Sequence, residues 1–275
     1  MPGGVQTGCR PGYGPAMRRA LFLPVFDELS DPALVADLAA QAEAAGWDGV
    51  FVWDHVAYRD PVQAVADPWV VLAAVACATS RVRIGPMVTP LPRRRPVKLA
   101  REVASLDRLS RGRLVLGVGI GGDGSGELSA TGEQLDDRVR GAMLDEGLDV
   151  LRAAWTGEQV DHRGEHYVVD GLTLQPTPVQ AGGPPVWVAA RYGNARPLHR
   201  AARHDGVFPI GITDPAQLAE VVATVGGARE GYDVAVGGPP GADERGYEAA
   251  GATWWMTSFP VATTEADVRA VLGSR

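Results

Sequence analysis

Eight short apolar runs, each followed by a polar or Gly/Pro-rich break and then by a stretch with helical spacing, recur from about Arg19 to Leu272. Strand–helix alternation sustained this long can close a parallel sheet into an α/β barrel of the (β/α)8 TIM type. In such a barrel the chemistry lies on the loops that follow the strands, so an unusual residue at a strand's C-terminal end is a candidate for function. The spacing predicts strands over Ala20–Val25, Gly49–Trp53, Val82–Val88, Leu114–Val118, Pro185–Ala189, Gly206–Ile210, Tyr232–Val236 and Thr253–Met256. Helices are expected after Ser30-Asp31-Pro32, from Asp67-Pro68 to Ala78, and over Pro96–Leu109, Leu135–Trp155, Ala195–Arg203, Pro215–Val225, Glu244–Ala250 and Glu265–Leu272. Most of the strands are apolar without alternation, as a sheet covered by helices on one face and filled by its own core on the other requires. An open doubly wound sheet uses the same units, and the regular eightfold spacing favours closure over it.

A barrel of this type needs about 250 residues. The chain has 275, which leaves one domain over 17–275 and a Gly/Pro-rich segment, residues 1–16, that reads as a disordered leader with Met17 as an alternative start. A net charge of −7 argues against nonspecific nucleic-acid binding, and no run approaches a membrane span. Cys9, in the leader, and Cys77, in an expected buried helix, cannot build a disulfide framework or a metal site. The one departure from the alternation is Gln159–Gln180. There Tyr167-Val168-Val169 and Leu172-Thr173-Leu174 flank Asp170-Gly171, predicting a hairpin inserted between the fourth helix and the fifth strand.

Four strand ends carry residues with chemical potential. The second ends in Trp53-Asp54-His55, which offers a stacking surface, a carboxylate and an imidazole suited to proton exchange near neutral pH. The plainer alternative is that Asp54 caps the loop and His55 is a satisfied, half-buried ring. After the third strand, Arg93, Arg94 and Arg95 can clamp an anion or simply be solvated. The fourth strand runs into a loop from Gly117 to Gly126 with six glycines, whose bare amides permit close approach of a ligand. A mobile surface loop explains it equally. The fifth strand ends in Ala190-Arg191-Tyr192-Gly193-Asn194, where Asn194 can cap the next helix and Arg191 stands beside its free amides, a setting for a phosphate. Phe208-Pro209-Ile210 after it offers an apolar wall for a flat ring.

The segments Gly46–His55, Val88–Pro96, Leu99–Arg113 and Leu116–Gly119 together resemble the bacterial luciferase-like family of flavin and deazaflavin oxidoreductases. The resemblance runs from about Ala20 to Met256 and implies a barrel with a redox ring across its C-terminal mouth. It implies coenzyme F420, the deazaflavin, ahead of FMN, with Asp54 and His55 beside the ring and His55 as proton donor or acceptor. It also implies a bulge with a nonprolyl cis peptide at Pro86-Met87 supporting one ring face, Gly117, Gly119 and Gly121 near the polyol tail, and Ala190, Arg191 and Asn194 near the phosphate. Sugar-phosphate dehydrogenases of the family carry a catalytic Glu in the strand-four loop; glycines stand there in this chain, and Glu127 lies too far along to be equated with it. Reduced lid insertions predict an open pocket for a small-molecule substrate, bulky ones and peptides included, in a cytoplasmic homodimer. An FMN monooxygenase using O2 and a noncatalytic flavin-binding or heterodimer subunit are the alternatives.

Overall fold

Three helices open on an Asp-Pro pair, and in each the carboxylate captures amides that the first turn leaves without partners. In the computed structural model, which describes residues 17–227 and 229–273, Asp31 accepts from Ala33 N–H ahead of α1 (Pro32–Ala44), Asp67 from Trp69 and Val70 N–H ahead of α2 (Pro68–Ala78), and Asp214 from Gln217 N–H ahead of α7 (Pro215–Thr224). The other helices are α3 (Pro96–Leu109), α4 (Glu127–Ala130), α5 (Asp137–Trp155), α6 (Ala195–Ala201), α8 (Arg245–Ala249) and α9 (Glu265–Gly273). The expected leader and Cys9 lie outside the described residues. Cys77 is on α2 as expected but faces solvent rather than the core.

The strands β1 (Arg18–Leu23), β2 (Gly49–Val52), β3 (Arg83–Pro86), β4 (Thr89–Pro90), β5 (Leu116–Gly119), β8 (Val186–Arg191), β9 (Gly206–Ile210), β10 (Asp233–Gly238) and β11 (Trp254–Ser258) make one parallel sheet. Its order is β3-β2-β1-β11-β10-β9-β8-β5-β4. The two edge pieces, β3 and β4, are consecutive parts of the third strand, separated at a cis Met87–Val88 peptide. β4 pairs with β5, and lower down Ile84 N–H donates to Arg113 O and Val115 N–H to Ile84 O. The ring is thereby closed, as the eightfold alternation predicts.

Both faces of each strand are buried because the pleat sends alternate side chains outward and inward. Leu21, Leu23, Val50 and Val52 pack under the helices, whereas Ala20, Phe22 and Phe51 fill the barrel. Inside, Phe51 stacks at 5.4 Å on Trp187 and meets Trp254 edge-on at 5.8 Å. Rings of this size leave room only for small residues at the closure. A Cβ on Gly85 would lie 2.0 Å from the Val115 carbonyl oxygen, so only glycine lets the split strand approach its neighbour there.

The insertion between α5 and β8 is a hairpin, but its strands are β6 (Gln159–Arg163) and β7 (Val168–Thr173). The turn spans Gly164–Tyr167, not Asp170-Gly171 as expected. Asp170 and Gly171 instead share one partner, Asp161, in a bulge of β7 where Gly171 takes φ +64° and donates its N–H to Asp161 Oδ1. A glycine that breaks a ladder without ending it gives the same local signal as a turn. No helix among the described residues is long and apolar enough to cross a membrane.

Glu43, near the end of α1, accepts N–H bonds from Ser80, Arg81 and Val82 and the Ser80 hydroxyl, which ties α1 to the turn before β3. Desolvation raises its pKa, but these donors outweigh that and hold the carboxyl at about 2, against 4.5 when free. The folded pKa lies below the unfolded one, so this stabilisation is complete above about pH 4.5 and disappears as the pH falls toward 2. Glu43→Gln is expected to cost about 1 kcal/mol at neutral pH after allowance for solvent screening. It should also flatten the acid limb of stability against pH; a limb of unaltered slope would contradict the role.

Candidate active site

The C-terminal ends of the barrel strands surround a cavity of about 910 Å³. Phe22 from β1, Trp53 after β2, Met87 and Val88 at the break in the third strand, and Phe208 from β9 form its apolar floor. The loop after β5 supplies Gly119, Gly121 and Gly122, and Arg191 and Asn194 stand on the rim.

Beside that floor lies a buried network of two carboxylates and two guanidiniums. Asp54, with its side chain fully buried, accepts from Arg93 at 2.8 Å, from Arg94 at 2.8 and 2.9 Å, and from the Thr89 hydroxyl at 2.7 Å. Glu127, with a side chain 2% exposed, places Oε1 2.9 Å from His55 Nδ1 and Oε2 2.8 Å from Arg93 Nη1, while Oε2 also accepts Val56 N–H at 3.0 Å. Arg93 and Arg94 therefore do clamp anions, but the anions are the protein's own side chains; Arg95 is exposed.

The carboxylate fixes which ring nitrogen of the histidine faces it. Desolvation by itself raises the Glu127 pKa, yet the hydrogen bonds from His55 and Val56 and the charge of Arg93 prevail and hold it below the usual carboxylate range. An ionised carboxylate can only accept, so His55 Nδ1 carries the proton that faces it. In the neutral ring that leaves Nε2 as a lone pair, with no partner among the described residues, on a side chain that lines the cavity. The ring is steadied by Tyr58, edge-on at 4.9 Å, and by Phe26 at 5.9 Å.

The sequence-based site is thus assembled in part. His55, Asp54, Met87, Gly119, Gly121, Arg191 and Asn194 all line the cavity. Asp54, however, holds Arg93 and Arg94, and the carboxylate that orients His55 is Glu127, about seventy residues on. Positive φ at Gly121 and Gly126 folds the loop back, and Asp123 fixes it by accepting Leu128 and Ser129 N–H, so that Glu127 at the head of α4 returns to the second strand's end. The one sequence signal for it was charge balance: two arginines next to a buried strand end require two acids. The cis peptide falls at Met87–Val88, one bond beyond Pro86-Met87. Gly117 lies beneath the cavity, where a Cβ would sit 2.4 Å from the Pro86 carbonyl oxygen and 2.7 Å from Met87 Sδ. Ala190 faces the outer helices and Ala189 the cavity, a one-residue difference that the pleat turns into opposite faces. Asn194 precedes α6 without a side-chain capping bond.

The residue pattern of the family described as luciferase-like monooxygenase matches residues 14–270. The chain belongs to this luciferase-like family. Among its relatives, the F420-dependent glucose-6-phosphate dehydrogenase of Nakamurella multipartita is 37% identical over 163 residues, 58% of this chain and 47% of that protein. The F420-dependent hydroxymycolic acid dehydrogenase of Mycobacterium tuberculosis is 34% identical over 196 residues, 68% of this chain and 53% of that one. This chain spans about half the length of these curated relatives. A solved F420-dependent secondary alcohol dehydrogenase, in complex with an F420-acetone adduct, shares the fold with a TM-score of 0.75 at 20% identity, covering 92% of this chain and 96% of that one.

The luciferase-like cavity suits a flat heterocycle with a phosphorylated tail. Its floor is apolar, and the Trp53 indole N–H beside it is buried without a partner, a donor left for a ligand. A Cβ on Gly122 would meet nothing within 4 Å, so the glycine strip offers open backbone. Arg191 lines the rim with no acidic partner among the described residues.

Proposed function

We propose that this luciferase-like protein is an oxidoreductase dependent on coenzyme F420, in which His55 exchanges a proton with an organic substrate bound over the ring. The observation that carries the reading is the His55–Glu127 pair, because it turns Nδ1 to the carboxylate and leaves Nε2 at the cavity wall. When bound, the deazaflavin supplies a two-electron acceptor or donor that moves hydride. The protein's own part is positional. Met87, Val88 and Phe208 provide the apolar surface on which a ring rests, the Gly119–Gly122 strip admits its tail, and Arg191 offers charge for the phosphate. Glu127 holds the imidazole, and Asp54 with Thr89 holds Arg93 and Arg94 in place behind it.

Names among the relatives support the cofactor, and they diverge on substrate, one being a sugar phosphate and another a hydroxylated lipid acid. Titration of the apoprotein with F420 and with FMN, followed by fluorescence, tests the cofactor: tighter F420 binding is expected, and a preference for FMN would favour a monooxygenase. Arg191→Ala should weaken the phosphorylated coenzyme about tenfold while leaving its phosphate-free ring-and-polyol fragment nearly unaffected. Equal losses would move the phosphate elsewhere. The reading extends to a cytoplasmic homodimer, for which a monomeric mass by light scattering would count against the assembly.

A further inference from the structure

We infer that the barrel carries a second ligand site, at the end opposite the large cavity, which binds a hydrogen-bearing oxyanion of the phosphate type between Arg152 and Asp205. A pocket of about 550 Å³ opens there. Arg152 and Trp155 reach it from the last turn of α5, and the loop 180–185 forms its edge. Val186, the first residue of β8, and Asp205, just ahead of β9, close it, which places it at the N-terminal ends of the strands. The site is independent of the oxidoreductase reading, which neither requires nor supplies it.

The protein leaves the donors of this pocket incomplete. Arg152 has no carboxylate partner among the described residues; its one hydrogen bond there runs from Nη2 to His204 Nδ1 at 2.8 Å. A guanidinium can only donate, so Nδ1 accepts and the neutral ring carries its hydrogen on Nε2. Burial, and then the charge of Arg152, hold His204 down at about 4 against the opposing pull of Asp205, so at neutral pH the imidazole adds no charge of its own. The full charge of Arg152 outweighs the partial negative charge that ends α5. Trp155 is 5% exposed, and its indole N–H is buried without a partner. The loop lies close against that ring: a Cβ on Gly183 would sit 2.2 Å from it. Positive φ at Gly182 and Gly183 makes the tight turn, and the Ala181 and Gly182 amides have no partner among the described residues. A guanidinium with free amides nearby is the donor set that an oxyanion takes.

Asp205 decides which oxyanion fits. Its Oδ2 accepts Val186 N–H at 2.9 Å, and Oδ1 has no partner among the described residues. A carboxylate repels an anion without hydrogens and accepts from one that keeps a hydroxyl. At neutral pH orthophosphate always retains a P–OH, whereas sulfate has no hydrogen to give.

Isothermal titration of the full chain at pH 7 with orthophosphate and with sulfate tests the site, and the His204 ring NMR signals are the local readout. Phosphate is expected to bind with a Kd below about 10 mM and to move those signals, with sulfate at least about tenfold weaker. Arg152→Ala and Arg152→Gln should each weaken phosphate about tenfold, and Arg191→Ala, on the other end of the barrel, should leave the His204 response within about twofold of wild type. Asp205→Asn exchanges the repelling oxygen for an amide donor and should bring sulfate to within about threefold of phosphate. Sulfate binding as tight as phosphate in the wild type overturns the inference, as do His204 signals that stay fixed up to about 10 mM phosphate. Phosphate affinity lost in Arg191→Ala and kept in Arg152→Ala also overturns it. None of these readouts uses the coenzyme, so failure here leaves the proposed function standing, and failure of F420 to bind leaves this site standing.

Discussion

His55→Ala is expected to lower turnover by about 100-fold or more, the usual contribution of a positioned general acid or base, while coenzyme affinity stays within about threefold of wild type. The split follows from the geometry. The imidazole presents Nε2 at the wall, and apart from Trp53 the apolar floor and the glycine strip that would carry the coenzyme come from other strands. Steady-state rates with matched coenzyme titrations decide it, and an unchanged rate removes His55 from the proton step. Glu127→Gln should fall between, at about tenfold. It keeps the shape but no longer demands a proton on Nδ1, so the accepting tautomer loses its preference. The ¹⁵N shifts of His55 should then report a mixed tautomer in place of the Nδ1–H form, which a purely structural role for Glu127 would not produce.

Asp54→Ala is expected to destabilise the fold by about 3–5 kcal/mol, because it leaves Arg93 and Arg94 buried with one carboxylate removed. It is the largest stability effect foreseen for a residue on the cavity. Denaturant midpoints at constant m-value measure it, and a loss below about 1 kcal/mol would place the pair among weak surface bridges. Asp54→Asn keeps acceptors for Thr89 and one arginine and should recover part of the loss. Activity in Asp54→Asn then separates a positioning residue from a catalytic one: a stable protein with near-normal kcat assigns Asp54 to holding Arg93.

The barrel was legible because its signals are local. Asp67-Pro68 starts α2, Leu99, Val103 and Leu106 mark the buried face of α3 although Leu109, expected on the same face, is exposed at the helix end, and Gly206–Ile210 is an unbroken strand on the bounds expected. What escaped depends on distance or on the pleat. Glu127 reaches His55 only because two left-handed glycines turn a loop back across the mouth, which no helical or strand period encodes. Ala189 and Ala190 are chemically identical in sequence, and one residue of register decides which of them meets a ligand. The β7 bulge looked like a turn because Asp-Gly serves both. The break of the third strand was expected but lies one bond farther along.

The arrangement of Arg93, Arg94, Asp54 and Glu127 pairs two positive with two negative groups, so its field cancels within a short range. Dissolved ions screen over about 8–10 Å and act on exposed charge, and here they find little of it. The proposed proton step is therefore expected to be insulated from ionic strength, and any salt dependence of turnover to belong to the encounter through exposed Arg191 and not to the chemistry beneath it.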